Sequence, residues 1–357
     1  MNAAATRINR IRRQLTPTWT AAWVALLGCA LPLLLGQVSG HPGFVWAALG
    51  AYHASRAHPL HRFGMLRMVL LTAFGAYSVA LGFWAAGEPL ISLGLFALYA
   101  LILVWLQRLG NEAGKMGMGL LICLCLGNGQ YIFSSFDNPH AIAALFMLGG
   151  AWATLLAFFL RGLHGLRMWP HTPRLLSILR VMRRHAQLQP LSQWVPYAIV
   201  SVLVLAVAGS LVAWFELPNG YWLTMMILPI LHLGLLRHPW RALSIASAAL
   251  LLGVSLIVAG YSLNGMPVIM PLLLLMVFLS RAFQAKHYGM FFLQSMLCYL
   301  LITESLSSDW SDPQTRLTSL GIGTGLAFLV IAIMALQQRL QRHKVQSDSL
   351  AADGPQA

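Results

Sequence analysis

The chain has 357 residues, 58% of them hydrophobic and only 9% charged, whereas soluble domains carry about 25% charged residues. So few charges cannot coat a water-facing surface, which excludes a soluble globular protein. The net charge of +14 would suit nucleic acid in a soluble chain, but here Lys and Arg fall between apolar blocks, where they orient membrane spans, and no nucleic-acid partner is expected.

Residues 1–19 form a basic N-terminus in which Arg7, Arg10, Arg12 and Arg13 precede the first apolar block, at 20–38. Many further blocks follow, so this reads as an uncleaved first span rather than a secretory leader. Blocks at 42–55, 65–86, 89–106, 116–133 and 141–160 complete a first membrane half over 20–160. The stretch 161–194 is rich in arginine and reads as a cytoplasmic linker able to lie on anionic lipid as an amphipathic helix. A second half over 195–337 holds blocks at 195–214, 220–236, 242–262, 266–280, 287–303 and 317–337. Residues 338–357 end in a small, polar run and are expected to be a disordered cytoplasmic tail. Blocks of about 20 residues match the thickness of a bilayer, so the fold expected is an all-α polytopic transmembrane bundle of about twelve helices.

Threading twelve spans from a cytoplasmic N-terminus puts every Lys and Arg except Arg316 on the cytoplasmic side. Glu88, Asp137, Glu216, Glu304, Asp309 and Asp312 fall on the other side. A bacterial inner-membrane protein with both termini in the cytoplasm follows. The halves also echo each other. Pro42, Gly43, Phe44, Val45 and Trp46 resemble Pro218, Asn219, Gly220, Tyr221 and Trp222, and HPLHR at 58–62 resembles HPWR at 238–241. Arg108, Lys115 and Met116 resemble Arg281, Lys286 and His287 with the residues after it. Each pair falls on one side of the membrane, so two parallel six-helix repeats are expected, with a pathway between them.

Candidate substrate-binding residues are those that can hold an anion or stack on a ring. Arg56, Arg62, Lys115, Arg237, Arg241, Arg281 and Lys286 end short spans, and a partly desolvated Arg offers a bidentate fork to a carboxylate. The plainer reading of each is orientation or contact with lipid phosphate. Trp46, Tyr221 and Trp222 are placed to stack on an aromatic substrate or to anchor at the interface. The second span is short and the eighth is interrupted by Pro229, and such discontinuous segments point to a transport site. His53 and His232 lie in apolar helices and are candidate proton carriers, or neutral hydrogen-bonded histidines. Glu216 and Glu304 are candidates to exchange protons at the outer side, against a plainer reading as solvated loop acids.

Cys29, Cys123, Cys125 and Cys298 sit in apolar runs without metal spacing, so inert thiols, no metal and no cofactor are expected. The stretch Gly110–Lys115 imitates a phosphate-binding loop, but is one residue short and lacks the following Ser or Thr. No enzyme motif accompanies it.

Three segments carry a family resemblance: FVWAALGAYHASRAHPLHRFGMLRMVLL from 44 to 71, GYWLTMMILPILHLGLLRHPWRALSIASAALLLGVSL from 220 to 256, and RAFQAKHYGMFFLQSMLCYLLITE from 281 to 304. An aromatic-Trp start, a basic turn and a long small-residue helix resemble the fusaric acid resistance, or aromatic acid exporter, family. The resemblance covers residues 20–160 and 195–337 and is strongest in the second half. It implies a secondary transporter exporting small organic anions, aromatic carboxylates among them, with proton coupling. A passive anion channel and a non-transporting component of a cell-envelope assembly stay open beside it. The partners expected are the lipid bilayer and an organic anion, and a homo-oligomer or an envelope-spanning partner is compatible.

Overall fold

The computed structural model describes residues 18–57, 64–129, 138–161, 191–217, 219–232, 235, 238–263, 269–283, 288–306 and 313–352. Arg62, Arg237, Lys286, the N-terminal arginines and the linker from 162 to 190 lie outside the described residues.

Twelve α-helices make up the described chain, one for each apolar block. They are α1 (Trp19–Ser39), α2 (Phe44–Ala54), α3 (Gly64–Ala85), α4 (Pro89–Leu109), α5 (Asn111–Gly129) and α6 (Pro139–Arg161), then α7 (Leu191–Trp214), α8 (Tyr221–Ile227), α9 (Pro239–Ser262), α10 (Ile269–Ala282), α11 (Tyr288–Glu304) and α12 (Pro313–Ala352). Pro89, Pro139, Pro239 and Pro313 each begin a helix, where the N–H they lack would have no intrahelical partner. Gly40 closes α1 at φ 68°, its N–H bonded to the Gly36 carbonyl, the left-handed cap that glycine adopts without steric cost. α12 continues through Ala352, where the sequence suggested a disordered tail from 338. The Leu, Gln, Arg and Lys residues that follow the span are good helix formers and carry it on.

Seven helices, α1, α3, α4, α6, α7, α9 and α12, are long and apolar enough to cross a membrane. They expose Leu93, Leu101, Leu203, Leu251 and Leu329 on outward faces. An apolar surface of that extent belongs in lipid, and the chain is a multi-pass membrane protein.

Two helices are far shorter. α2 has 11 residues, about 16 Å at 1.5 Å per residue, half the hydrocarbon thickness of about 30 Å. α8 has 7 residues and passes into a 3-10 turn at Leu228–Ile230. Pro229 in that turn lacks an N–H and cannot continue an α-helix. Every residue of α8, and of α2 from Val45 to Ala54, is buried. Non-helical backbone at membrane depth is tolerated where protein surrounds it, and here long helices do so. α2 lies against α1, α3, α6 and α11, and α8 lies against α5, α7, α9 and α12. α4 packs along α7 and α1 along α10, joining the two sets.

Glycines let backbones touch at these contacts, as is usual between helices in membranes. A Cβ on Gly149 of α6 would sit 1.7 Å from the Ala47 carbonyl oxygen of α2, and one on Gly323 of α12 would sit 2.3 Å from the Leu223 carbonyl oxygen of α8. The clash is with backbone, so α2 itself must move. Gly149→Ala is therefore expected to destabilise by about 1–3 kcal/mol, read as a lower thermal midpoint of the detergent-solubilised protein; an unchanged midpoint would mean that α2 is not held there.

Candidate anion site

Short as it is, α2 delivers its C-terminal turn to the middle of the bundle. A Cβ on Gly75 would lie 3.0 Å from His53 Cδ2, and Gly75 is halfway along the 22-residue α3. His53 is fully buried there, its Nδ1 2.5 Å from the Tyr299 hydroxyl of α11 and 3.5 Å from Cys123 Sγ of α5.

Around this histidine stand two guanidiniums. Arg56, just past α2, is 8% exposed, and Arg281, in the last turn of α10, is 1% exposed. Arg281 Cζ lies 4.3 Å from the centroid of the Tyr52 ring. Tyr52 meets Tyr299 edge to face at 4.9 Å. Arg56 Cζ lies 5.9 Å from the Tyr299 centroid and 5.3 Å from that of Phe291. Arg56 also donates through Nη2 to the Lys115 carbonyl at 3.4 Å. Gly119 makes room for the pair: a Cβ there would fall 2.7 Å from Arg56 Nη1 and 2.9 Å from His53 Cε1.

These contacts leave donors over. Arg56 Nη1 and Arg281 Nε and Nη2 are buried without a hydrogen-bond partner among the described residues. In Arg281 the two form one edge of the guanidinium. That same edge of Arg316 grips Glu304 at the opposite end of the bundle, Nε at 3.2 Å and Nη2 at 2.8 Å. The arrangement is the bidentate fork that recognises a carboxylate.

Among the described residues no carboxylate meets either. Of the chain's nine acids, Glu112 is the one with a described side chain at the helix ends near Arg56 and Arg281, and it pairs with Lys115 at 3.0 Å and Arg67 at 3.3 Å; Asp348 and Asp353 follow in the C-terminal stretch after the last span. The connections 58–63, 233–237 and 284–287, the N-terminal 1–17 and the linker 162–190 contain no Asp or Glu. The C-terminus of α2 contributes only about half a negative charge. Cation–π contact adds about 0.5–2 kcal/mol for each Arg, against several kcal/mol to take an ion out of water.

At the opposite end lies a second polar cluster. Glu304 and Arg316 are buried and ion-paired at 2.8 Å. Trp222 Nε1 donates to Glu304 Oε1 at 2.9 Å, and the Tyr221 hydroxyl donates to the same oxygen. Glu304 is thus no solvated loop acid, and Arg316, the exception to the positive-inside pattern, is neutralised where it stands. Tyr221 and Trp222 are not interfacial anchors, since both are buried and bind this carboxylate. Trp46 is likewise buried, at the start of α2.

The remaining candidates stand apart. Arg241 is exposed in the first turn of α9. Lys115 is half-buried, held by Glu112 and lying 5.2 Å over the Phe291 ring. Lys115 and Glu112 are i,i+3 neighbours in α5, so the loop that imitated a phosphate binder is a helix start. Glu216 is exposed in the turn after α7 at φ 45°. His232 follows the 3-10 turn, one residue after the Leu231 carbonyl that Gln107 Nε2 and the Tyr197 hydroxyl hold at 2.9 and 3.0 Å. Gln107 and Tyr197 thus satisfy a backbone group freed by the break in α8. Gln107→Leu, which removes a donor from a buried carbonyl, should lower stability by about 1–3 kcal/mol, with Gln107→Glu milder only at low pH; a neutral Gln107→Leu would show that the break needs no such support. Tyr52, Phe291, Tyr299 and Gln107 were not singled out by the sequence.

Among the described residues no group of three or more His, Cys, Asp or Glu is placed to hold a metal ion, and all four cysteines are buried and free. No curated protein and no solved structure matches the chain. Residues 204–330 match the model of the fusaric acid resistance protein-like family, and the resemblance read from the sequence therefore holds for the second membrane half.

Proposed function

We propose that the chain is an inner-membrane secondary transporter that exports small organic anions, with Arg281 and Arg56 as the anion-binding groups and His53 as the proton carrier. The observation that carries this reading is the pair of buried guanidiniums whose free donors meet no partner and no carboxylate among the described residues. The family match over 204–330 supports a transporter-like protein. Half-length helices whose ends lie deep in a bundle are a recurrent site of substrate binding in transporters. Tyr52, Tyr299 and Phe291 offer ring faces beside the guanidiniums, which suits an aromatic carboxylate.

A duplication underlies the arrangement in this reading. The packing of α2 against α6 recurs as α8 against α12, α3 against α5 as α9 against α11, and α4 against α7 as α10 against α1. Parallel repeats keep the basic helix ends together on the cytoplasmic side, with both termini there. The two glycine contacts, Gly149 on Ala47 and Gly323 on Leu223, are equivalent under the same repeat.

The test is uptake of labelled organic acids into inverted vesicles with and without an imposed proton gradient. Gradient-driven accumulation is the result expected. Uptake indifferent to the gradient would replace the coupled carrier with a passive channel, and absence of uptake would favour a non-transporting envelope component.

A further inference from the structure

We infer that the preferred substrate is a dianion, a compact dicarboxylate, with one anionic group for each guanidinium. The inference rests on the transport reading and sharpens its substrate class. Arg281 and Arg56 pack on different members of the Tyr52–Tyr299 pair, so the guanidiniums present two positions rather than one. Their free donors differ as well. Arg281 offers the Nε and Nη2 edge, which fits both oxygens of one carboxylate, whereas Arg56 offers Nη1 alone, which fits a single oxygen.

Charge balance selects between ligands. Glu112 is engaged by Arg67 and Lys115, and Glu304 by Arg316. A monocarboxylate at Arg281 would leave the Arg56 charge buried and uncompensated, and the reverse holds at Arg56. An uncompensated buried ion is costly, so a ligand with two negative charges binds with both costs relieved. His53, hydrogen-bonded to Tyr299, adds no negative charge.

Matched acids of the same skeleton test this in proteoliposomes containing the full chain: terephthalate against benzoate, and succinate against butyrate. In the wild type the dicarboxylate of at least one pair should be taken up about tenfold faster than its monocarboxylate, since losing one charge-assisted contact is worth a factor of ten or more. Arg56→Gln should remove that preference, lowering dicarboxylate uptake about tenfold more than monocarboxylate uptake. Arg56→Lys should keep the wild-type order, which separates loss of charge from loss of fold. Equal or faster monocarboxylate uptake by the wild type, or a parallel fall of both acids in Arg56→Gln with both restored in Arg56→Lys, would overturn the dianion and leave an anion transporter. No uptake of any acid would overturn the transport reading with it.

Discussion

Arg281→Met should make the ligand-free protein more stable and the transporter inactive. A buried Arg kept for packing loses its cation–π contact with Tyr52 and its filled volume when shortened, and the protein weakens. The situation of Arg281 is different, because its Nε and Nη2 are buried without partners among the described residues. An unpaired buried charge costs several kcal/mol, and replacing it with an apolar chain of similar volume removes that cost. The expected gain is about 1–4 kcal/mol, seen as a higher thermal midpoint in detergent. Anion uptake should fall about hundredfold, because a charged bidentate contact is worth about 1.5–3 kcal/mol and the neighbouring positions depend on it. Arg281→Lys, a point charge without the fork, should fall between the two. A destabilised Arg281→Met would assign the residue to the fold instead.

The ion pair at the other end predicts the opposite signs. Glu304→Gln removes the partner of a buried Arg316 and weakens the acceptor for the Trp222 and Tyr221 donors. Breaking one side of a buried pair costs about 3–5 kcal/mol, and here the loss also frees the start of α8. Arg316→Met alone should cost as much. The double variant Glu304→Gln with Arg316→Met should be more stable than either single, by a coupling of about 1–3 kcal/mol, and a thermal-midpoint cycle reads it directly. Additive losses would mean that the two residues act independently and that α8 is held by packing alone.

Helix number was legible because bilayer thickness fixes block length, and each apolar block became one helix. What the blocks did not disclose was how far the second and eighth spans reach. Both are too short, and only neighbours that wrap α2 and α8 permit a helix to end inside the bundle. Arg241 and Arg281 illustrate the limit for side chains. Each stands at a helix end on the same side, and nothing in the local sequence tells that one faces outward and the other turns in over Tyr52. His53 was legible as an ionisable group in an apolar run. The rings of Tyr52, Tyr299 and Phe291 around the two guanidiniums were not, because an aromatic residue in a membrane helix carries no mark of what it faces. Arg316 did leave a signal. Set apart from every other Lys and Arg by the threading read from the sequence, it falls 12 residues after Glu304, and a buried pair is the arrangement that makes such a position stable.

Anion binding by Arg281 and Arg56 in the interior of the bundle is tested most directly by thermal denaturation of the purified protein with and without ligand. A ligand that binds only the folded state raises the midpoint with its concentration. Terephthalate, benzoate and the uncharged benzamide would be compared on the wild type and on Arg281→Met. Concentration-dependent stabilisation of the wild type by an acid is expected, with none by the amide and none of Arg281→Met by any of them. Equal shifts for acid and amide, or acid shifts that survive in Arg281→Met, would contradict anion binding at these residues.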